Sequence, residues 1–195
     1  MLPFVYNLFK RTNILNNKRT SSPSRGTLYY QESKGKLIRI MPGFFVPESA
    51  ELSDINMMQW IYAKQPDAVM NLISALSFHG LTTQIPAYLS LALPRGRVIP
   101  KNLATPIKVW YTKKDWILCG VQQGSGDYGP YLVTSPERTL IDCFRYRNKI
   151  GLEVFLEALQ LGIKKHSYDF NKLAELSDIF KSTSLIKPYI KTAVR

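Results

Sequence analysis

The sequence predicts an α+β fold: an N-terminal winged helix-turn-helix, then a mixed α/β domain with a small sheet flanked by helices. Three observations predict it. Polar and apolar residues alternate and then turn back over 36–46, which indicates a β-hairpin after a helical segment. Short apolar runs separated by glycine and proline over 87–133 indicate a small sheet. Helical spacing of apolar residues dominates from 136 onward.

The first predicted domain comprises residues 1–46. One or two short helices, interrupted near Thr12 and Asn13, precede a second helix over about 23–33 that begins with a serine cap and a proline. The hairpin over 36–46 follows directly. Helix, turn, helix and hairpin in this order are typical of a winged helix-turn-helix.

In such a domain the second helix enters the major groove of DNA, and its first residues reach the base edges. Residues 1–46 contain eight basic side chains and one acidic one, a net charge of 8 − 1 = +7. Contacts to phosphates position a protein on DNA, whereas contacts to bases select the sequence. The residues expected to reach bases are Ser22, Ser24, Arg25, Thr27 and Tyr29, and those expected to contact phosphates are Lys18, Arg19, Lys34, Lys36 and Arg39. The alternative is a basic N-terminal cap that binds no DNA.

The overall charge also favours an anionic partner. The chain has 26 basic and 14 acidic residues, a net charge of +12 and a pI near 9.7, which suits nucleic acid or an anionic membrane surface. No apolar run approaches the length of a membrane span. The N-terminus has its apolar residues first and its basic ones after, the reverse of a signal peptide. We expect a cytoplasmic protein without a membrane partner.

The cysteines and histidines predict no metal site and no cofactor. Cys119 and Cys143 lie in apolar surroundings, where buried free thiols are expected, and this suits a reducing compartment. The two histidines lie far from them in sequence, so no metal-ligand spacing results. His79, beside Gly80, is expected to cap or pack a helix.

The second predicted domain comprises residues 47–195. A connecting helix around Trp60 is followed by residues 67–70, which lead into a helix that contains Leu72, Ile73, Leu76 and Phe78 and ends at Gly80. The predicted strands cover 88–93, 107–111, 116–121 and 131–133, with a hairpin at the glycines of 124–126, and helices follow over 136–148, 152–162 and 169–194. The basic residues that decorate the sheet are Arg95, Arg97, Lys101, Lys108, Lys113 and Lys114.

The stretch 133–151 has the strongest helix signals. Ser135 is a good N-cap, Pro136 falls at the first helical position, and Glu137 places a negative charge near the positive end of the helix dipole. A charged stripe at i, i+4, i+7 and i+11 consists of Arg138, Asp142, Arg145 and Lys149. By spacing alone this stripe is a solvated face with ordinary ion pairs, so we expect reversal of Arg145 to leave the fold intact.

The same stretch carries a family resemblance. The sequence TSPERTLIDCFRYRNKIGLEV at 134–154, together with PDAV at 66–69 and LISALSFHGLTTQIP at 72–86, resembles the AbiEi family. Its members are antitoxins of type IV toxin–antitoxin systems and regulators in phage-defence loci. The hairpin over 36–46 is similar to the wing of many relatives.

The resemblance implies a role and a partner. It implies repression of the protein's own promoter, bound as double-stranded DNA, and opposition to a co-encoded nucleotidyltransferase-like toxin without a required complex. Neutralisation is then expected in residues 47–195, with the stripe of Arg138, Asp142, Arg145 and Lys149 as the antitoxin surface.

Two further function classes stay open. One is a transcription factor whose C-terminal domain serves only dimerisation or ligand sensing. The other is a nuclease, but Asp115 and Asp127 lack the acidic-x-Lys partner that such a site needs. Since no set of residues converges on a catalytic arrangement, we expect a non-enzymatic protein.

Overall fold

The computed structural model describes residues 6–7, 12–13, 23–99 and 103–193 of the 195-residue chain. The described residues form an α+β fold with two sheets. The strands are β1 (Tyr6–Asn7), β2 (Thr12–Asn13), β3 (Leu37–Met41), β4 (Phe44–Pro47), β5 (Val69–Met70), β6 (Leu89–Pro94), β7 (Ile107–Thr112), β8 (Val121–Gly126) and β9 (Gly129–Thr134). The helices are α1 (Arg25–Ser33), α2 (Asp54–Lys64), α3 (Leu72–Phe78), α4 (Pro136–Arg145), α5 (Arg147–Ile150), α6 (Leu152–Lys164), α7 (Phe170–Ile179) and α8 (Thr183–Ala193).

The predicted hairpin and the helix before it are confirmed. Strands β3 and β4 pair antiparallel, with Gly43 in the turn at a φ of 80° that favours glycine. Helix α1 rests on the hairpin through Leu28, which is buried with Leu37 and Phe45. The cap is Ser24 rather than Ser22, so the helix begins two residues later than predicted.

The short helix predicted before the interruption at Thr12 and Asn13 is wrong at the two residues of it that the structure describes, Tyr6 and Asn7. Residues 6–7 and 12–13 are strands, and the sheet order is β2-β1-β4-β3. Strand β1 pairs with β4 at Tyr6↔Phe45 and Asn7↔Phe44, which gives hydrogen-bond partners to an edge of β4 that would otherwise be unpaired. The other residues of 1–22 lie outside the described part, so a complete winged helix-turn-helix stays a prediction.

The second sheet has the order β7-β6-β5-β9-β8. Strands β6 and β7 pair parallel, as do β5 and β9, whereas β5–β6 and β8–β9 are antiparallel. The strand predicted over 116–121 is wrong: Lys114–Trp116 is a 3-10 turn, and the strand is β8, which contains the glycines at 124 and 126. The helix predicted to contain Leu72 and to end at Gly80 is confirmed as α3, and the residues that lead into it contain strand β5, because Val69 and Met70 fill the centre of the sheet.

Two apolar clusters stabilise the molecule. One lies between α2 and the sheets and joins Phe44 of the hairpin to Trp60 and Tyr131. It therefore crosses Pro47, the predicted domain boundary. The second cluster surrounds α4, which packs against α3, α6 and α7. Among the helices that the structure describes, none combines the length and the apolar character needed to span a bilayer.

Candidate functional site

The first turn of α1 is exposed. Ser24, Arg25 and Thr27 all face solvent. The Ser24 hydroxyl accepts from the backbone N–H of Thr27 at 3.2 Å, and the two hydroxyl oxygens are 2.9 Å apart. The Ser24 side chain is therefore engaged in capping the helix, while the guanidinium of Arg25 is available for an external partner.

Tyr29 holds two arginines from different elements together. Its ring packs edge-on against Phe45 at 5.4 Å between centroids. The guanidinium carbon of Arg25, on α1, lies 6.0 Å from the Tyr29 centroid, and that of Arg39, on β3, lies 5.9 Å from it. An exposed cation–π contact contributes about 0.5–1 kcal/mol. The helix and the hairpin thus present a shared pair of arginines, which we call the Tyr29 platform (Arg25, Tyr29, Arg39).

Two lysines extend the positive surface beside this platform. The Lys34 ammonium lies 5.7 Å from the ring of the exposed Tyr30, and Lys36 is exposed at the start of the hairpin. Residues 23–46 hold four basic side chains and one acidic one, a net of 4 − 1 = +3. That acid is Glu32, 3.5 Å from Arg39 in an exposed ion pair.

Of the residues predicted to contact DNA, Lys18, Arg19 and Ser22 lie outside the described part of the chain.

Helix α4 differs from the sequence prediction. Arg138 and Asp142 are 1% and 2% exposed, so the expectation of a solvated stripe is wrong for both. Nε of Arg138 donates to Oδ2 of Asp142 at 2.9 Å. Nη1 of Arg138 donates to the carbonyl oxygen of Trp116 at 2.9 Å and also to that of Cys119.

The cover over this pair comes from distant parts of the chain. The guanidinium carbon of Arg138 lies 3.9 Å from the ring centroid of Phe180, at the end of α7. On the other side, residues 116–120 wrap over the pair and supply the carbonyl oxygens. Burial raises the pKa of Asp142, and the charges of Arg138 and Arg145 oppose that rise. The pair therefore fixes a loop and a helix in place rather than forming a surface.

The other half of the stripe is accessible. Arg145 is partly exposed, its Nη1 donates to Oδ1 of Asp142 at 3.3 Å, and its guanidinium lies 5.0 Å from Trp116 and 5.2 Å from Phe180. Lys149 is exposed. Because Arg145 contacts a buried carboxylate, its reversal to glutamate would place two carboxylates together. From this contact we now expect Arg145→Glu to destabilise the fold, in contrast to the expectation from sequence spacing alone.

Glu137 ties the start of α4 to the segment before α7. The Ser135 hydroxyl donates to Oε2 at 2.8 Å, and the Asp169 N–H donates to Oε1 at 3.1 Å. Burial acts to raise the pKa of Glu137, but these hydrogen bonds and the charge of Lys172, 3.4 Å away, hold that pKa below its usual value. Ser135 also accepts from the N–H of Arg138 at 3.3 Å, so the predicted N-cap is confirmed.

His79 and the two cysteines occupy structural positions. The His79 ring bonds through Nε2 to the carbonyl oxygen of Thr134 at 2.7 Å, and burial lowers the pKa of this histidine; its predicted packing role is confirmed. Cys143 is buried as predicted, whereas Cys119 is half-buried. In the ranges 23–99 and 103–193, no group of three or more His, Cys, Asp or Glu residues is placed to hold a metal ion.

Sequence reasoning missed Trp116 and Phe180, which cover the buried pair of α4. Their contacts with Arg138 span 22 and 42 positions in sequence, and no local sequence pattern indicates contacts at such separations. A weak signal exists in the four consecutive apolar residues from Trp116 to Cys119, whose pattern predicts a strand. In the structure Ile117 of this run packs against Val69 and Leu132, and Leu118 is exposed.

No family model matches the chain, and no curated protein matches it. Among solved structures, the chain is similar to the crystal structure of the RV2827C protein from Mycobacterium tuberculosis, with a TM-score of 0.59 and 14% sequence identity. The likeness covers 78% of this chain and 59% of that one. At this identity it shows a shared fold and no more.

Proposed function

We propose that the protein is a DNA-binding regulator and antitoxin that represses its own promoter in a type IV toxin–antitoxin operon. The observation that supports DNA binding is the Tyr29 platform. Arginines from a helix and from a hairpin converge there on one exposed aromatic ring. Lys34 and Lys36, in the connection between α1 and β3, are exposed and add to the positive charge of this region.

A DNA duplex fits this arrangement in shape and in charge. A single helix inserted into the major groove brings its first turn to the base edges, while an adjacent hairpin reaches the backbone. Arg25 occupies the first turn of α1 and suits bidentate recognition of guanine. Arg39 and Lys36, on the hairpin side, suit phosphates, which fix the position of the protein without selecting sequence. A winged helix-turn-helix is the domain type that we propose for this region.

The antitoxin part of the proposal rests on the family resemblance of the sequence. Of the four residues proposed for the antitoxin surface, Arg138 and Asp142 are buried. The accessible remainder is Arg145 and Lys149, which we propose as the residues that act on the toxin's target or on the toxin itself. The neutralised toxin would be a co-encoded nucleotidyltransferase-like protein, and a stable complex is not required.

A mobility-shift or anisotropy titration of the full chain tests the DNA-binding part. We expect binding to duplex from the region upstream of the gene, with an affinity that falls steeply as salt rises. Arg25→Ala should weaken binding by ~1–3 kcal/mol and relax sequence preference, whereas Lys36→Ala should weaken all sequences alike. Lys187→Ala, which removes an exposed charge on α8, is the matched control. Absence of binding to the upstream duplex at low salt would refute this part.

Growth rescue in cells that express the adjacent toxin gene tests the antitoxin part. The full chain is used because the core is continuous across Pro47. Arg25→Ala combined with Arg39→Ala should abolish repression and keep rescue, whereas Lys149→Glu should weaken rescue in a protein that still folds. If the full chain represses its promoter but does not rescue growth, the protein is a transcription factor without antitoxin activity.

A further inference from the structure

A second positively charged surface surrounds the edge strand β7 and the end of α4. No Asp or Glu occurs from 68 to 114, nor from 143 to 152. These two segments together contain nine basic residues: Arg95, Arg97, Lys101, Lys108, Lys113, Lys114, Arg145, Arg147 and Lys149. Because β7 pairs with β6 and the C-terminal end of α4 lies against it through Tyr146 and Trp110, the fold brings the two acid-free segments together.

Aromatic rings hold the cations of this surface. The Lys108 ammonium lies 4.8 Å from the ring centroid of Trp110 and 5.0 Å from that of Tyr88. Lys149, from the helical side, lies 5.9 Å from the same Trp110 ring. The Trp110 ring is thus close to lysines from two elements, and it packs against the Tyr146 ring at 4.7 Å between centroids, with the two ring planes tilted by 58°.

The surface continues past the end of β7. The Lys113 ammonium lies 4.8 Å from the ring of Trp116, and the Arg145 guanidinium lies 5.0 Å from that ring. We call Lys108, Lys113, Arg145 and Lys149, with the two tryptophans beneath them, the β7 surface. Strand β7 is about 17 Å long at roughly 3.3 Å per residue, which matches about five base pairs of duplex.

The lysines of the β7 surface have no carboxylate partner among the residues that the structure describes. The nearby Asp142 is buried and is engaged by Arg138 and Arg145, and Asp67 pairs with Arg97 at 3.0 Å. Lys108, Lys113 and Lys149 are all exposed. Lys108 donates a hydrogen bond to the Tyr88 hydroxyl at 3.4 Å, which leaves its charge without a counter-charge among these residues. Ammonium groups without a carboxylate partner favour an external anion at that position.

We propose that the β7 surface binds the phosphate backbone of duplex DNA, independently of sequence and separately from α1. A duplex is favoured over a single strand because single-strand binders stack bases on free aromatic faces. Here cations already lie over those faces, and Trp110 is only 6% exposed. A duplex keeps its bases inside and offers phosphates alone, which is what this surface of cations can contact. The inference does not depend on DNA reading by α1.

Anisotropy titrations of the full chain test the proposal. The probe is a labelled 20-base-pair duplex of arbitrary sequence, measured at several salt concentrations. The variant carries Lys108→Glu, Lys113→Glu and Lys149→Glu, and the matched control carries Lys164→Glu, Lys187→Glu and Lys191→Glu, which changes the net charge equally at exposed positions of α6 and α8. Thermal melting establishes that both variants fold.

We expect the first variant to lose at least about tenfold in affinity at low salt, and its slope of log affinity against log salt to fall by about 2.7, three contacts at ~0.9 each. The control should lose markedly less. Equal losses in both variants, or no loss in the folded first variant, would overturn the proposal. A third variant, Arg25→Ala with Lys36→Ala, separates the two surfaces. If it abolishes duplex binding while the β7 variant binds normally, α1 alone binds DNA.

Two other probes distinguish the neighbouring possibilities. If the β7 variant loses single-stranded DNA and keeps the duplex, and Tyr111→Ala has the same effect, stacking on the exposed Tyr111 carries the binding and the duplex proposal is wrong. Tyr111 is 49% exposed and lies on the opposite face of the strand from Trp110. If the loss is confined to an RNA duplex, the partner is RNA and the proposal is likewise overturned.

Discussion

Helices α1 and α4 both present arginine and a carboxylate on one side, and the fold uses them in opposite ways. On α1 one residue, Leu28, is buried, and Arg25 and Tyr29 face solvent. On α4 eight of the ten residues are buried, including Arg138 and Asp142. The difference lies in what covers each helix. The first helix has a hairpin on one side, whereas the second is enclosed by α3, α6, α7 and the loop after β7.

The comparison shows that a charged stripe on a helix can be assigned to the surface or to the interior only when the elements that pack against the helix are known. The exposed Arg39–Glu32 pair, at 3.5 Å, is of the kind that contributes about 0–1 kcal/mol. The buried Arg138–Asp142 pair, at 2.9 Å, satisfies two carbonyl oxygens as well as a carboxylate. Removing one member of such a pair leaves a buried charge without its partner. We therefore assign recognition to the exposed arginines of the Tyr29 platform and structural integrity to the buried Arg138–Asp142 pair of α4.

The largest expected effect is loss of the buried pair. Asp142→Ala should lower the free energy of unfolding by ~3–5 kcal/mol, because it strands the Arg138 charge in the interior. Glu32→Ala, which removes the exposed carboxylate beside Arg39, should cost less than about 1 kcal/mol. Urea denaturation of the two variants measures both values.

A double variant sharpens this result. Arg138→Met with Asp142→Leu replaces the pair with apolar groups of similar size, and such replacements are often neutral or stabilising. It should recover much of the loss seen in Asp142→Ala, less the contribution of the two carbonyl contacts. Equal costs for Asp142→Ala and Glu32→Ala would contradict the distinction between the two helices.

The parts of the fold that the sequence predicted correctly are those with local signals. Ser135 and Pro136 mark the start of α4, and the alternation around Arg39 marks the hairpin. Strands β6 and β7 were predicted because their apolar runs end at prolines and glycines. These signals act within a few residues, so the sequence alone displays them.

The rest depended on contacts between distant positions. Strand β5 has two residues and is stabilised by pairing with β6 and β9, so no local pattern marks Val69 and Met70 as a strand. The burial of Asp142 depends on Phe180, 38 positions away. At the candidate site, the residue types around Tyr29 were predicted, but the convergence of Arg25 and Arg39 on one ring requires the pairing of helix and hairpin.

The second expected effect concerns the loop that covers α4. Gly120 has a φ of 65°, and a Cβ added there would lie 2.9 Å from Cβ of Arg138 and 2.9 Å from Cδ1 of Leu176. Gly35, beside the exposed helix α1, has a φ of 68° with nothing within 4 Å of an added Cβ. Both positions disfavour alanine by ~1–2 kcal/mol through backbone conformation, but only Gly120 adds a steric clash of about 1–3 kcal/mol.

Thermal unfolding of Gly120→Ala and Gly35→Ala therefore measures how tightly the loop at Gly120 packs against α4. The difference between the two variants isolates the packing contribution, since the backbone contribution is shared. Gly120→Ala should be the less stable by at least about 1 kcal/mol. Equal stability would mean that the loop over Arg138 shifts to accommodate the added methyl group. The packing of this loop against α4 would then contribute little to stability.

The smallest expected effect is on thiol reactivity, which reports the same cover without changing stability. Cys143, on α4, is fully buried, and burial together with the charge of Asp142 raises the pKa of its thiol well above the usual value. Cys119, in the covering loop, is half-buried, and its thiol donates to the carbonyl oxygen of Asp115 at 3.3 Å. The thiolate is the reactive form. The native protein should therefore label first at Cys119, and at Cys143 only when the helix is released.

Two kinetic phases in a thiol titration with an aromatic disulfide would show this order, and Cys119→Ser should leave only the slow one. Asp142→Ala should speed the slow phase, because it weakens the attachment of the loop to α4, while Glu32→Ala should leave it unchanged. A single fast phase that accounts for both thiols in the folded protein would place Cys143 at the surface. It would also contradict the enclosure of α4 on which the contrast between the two helices depends.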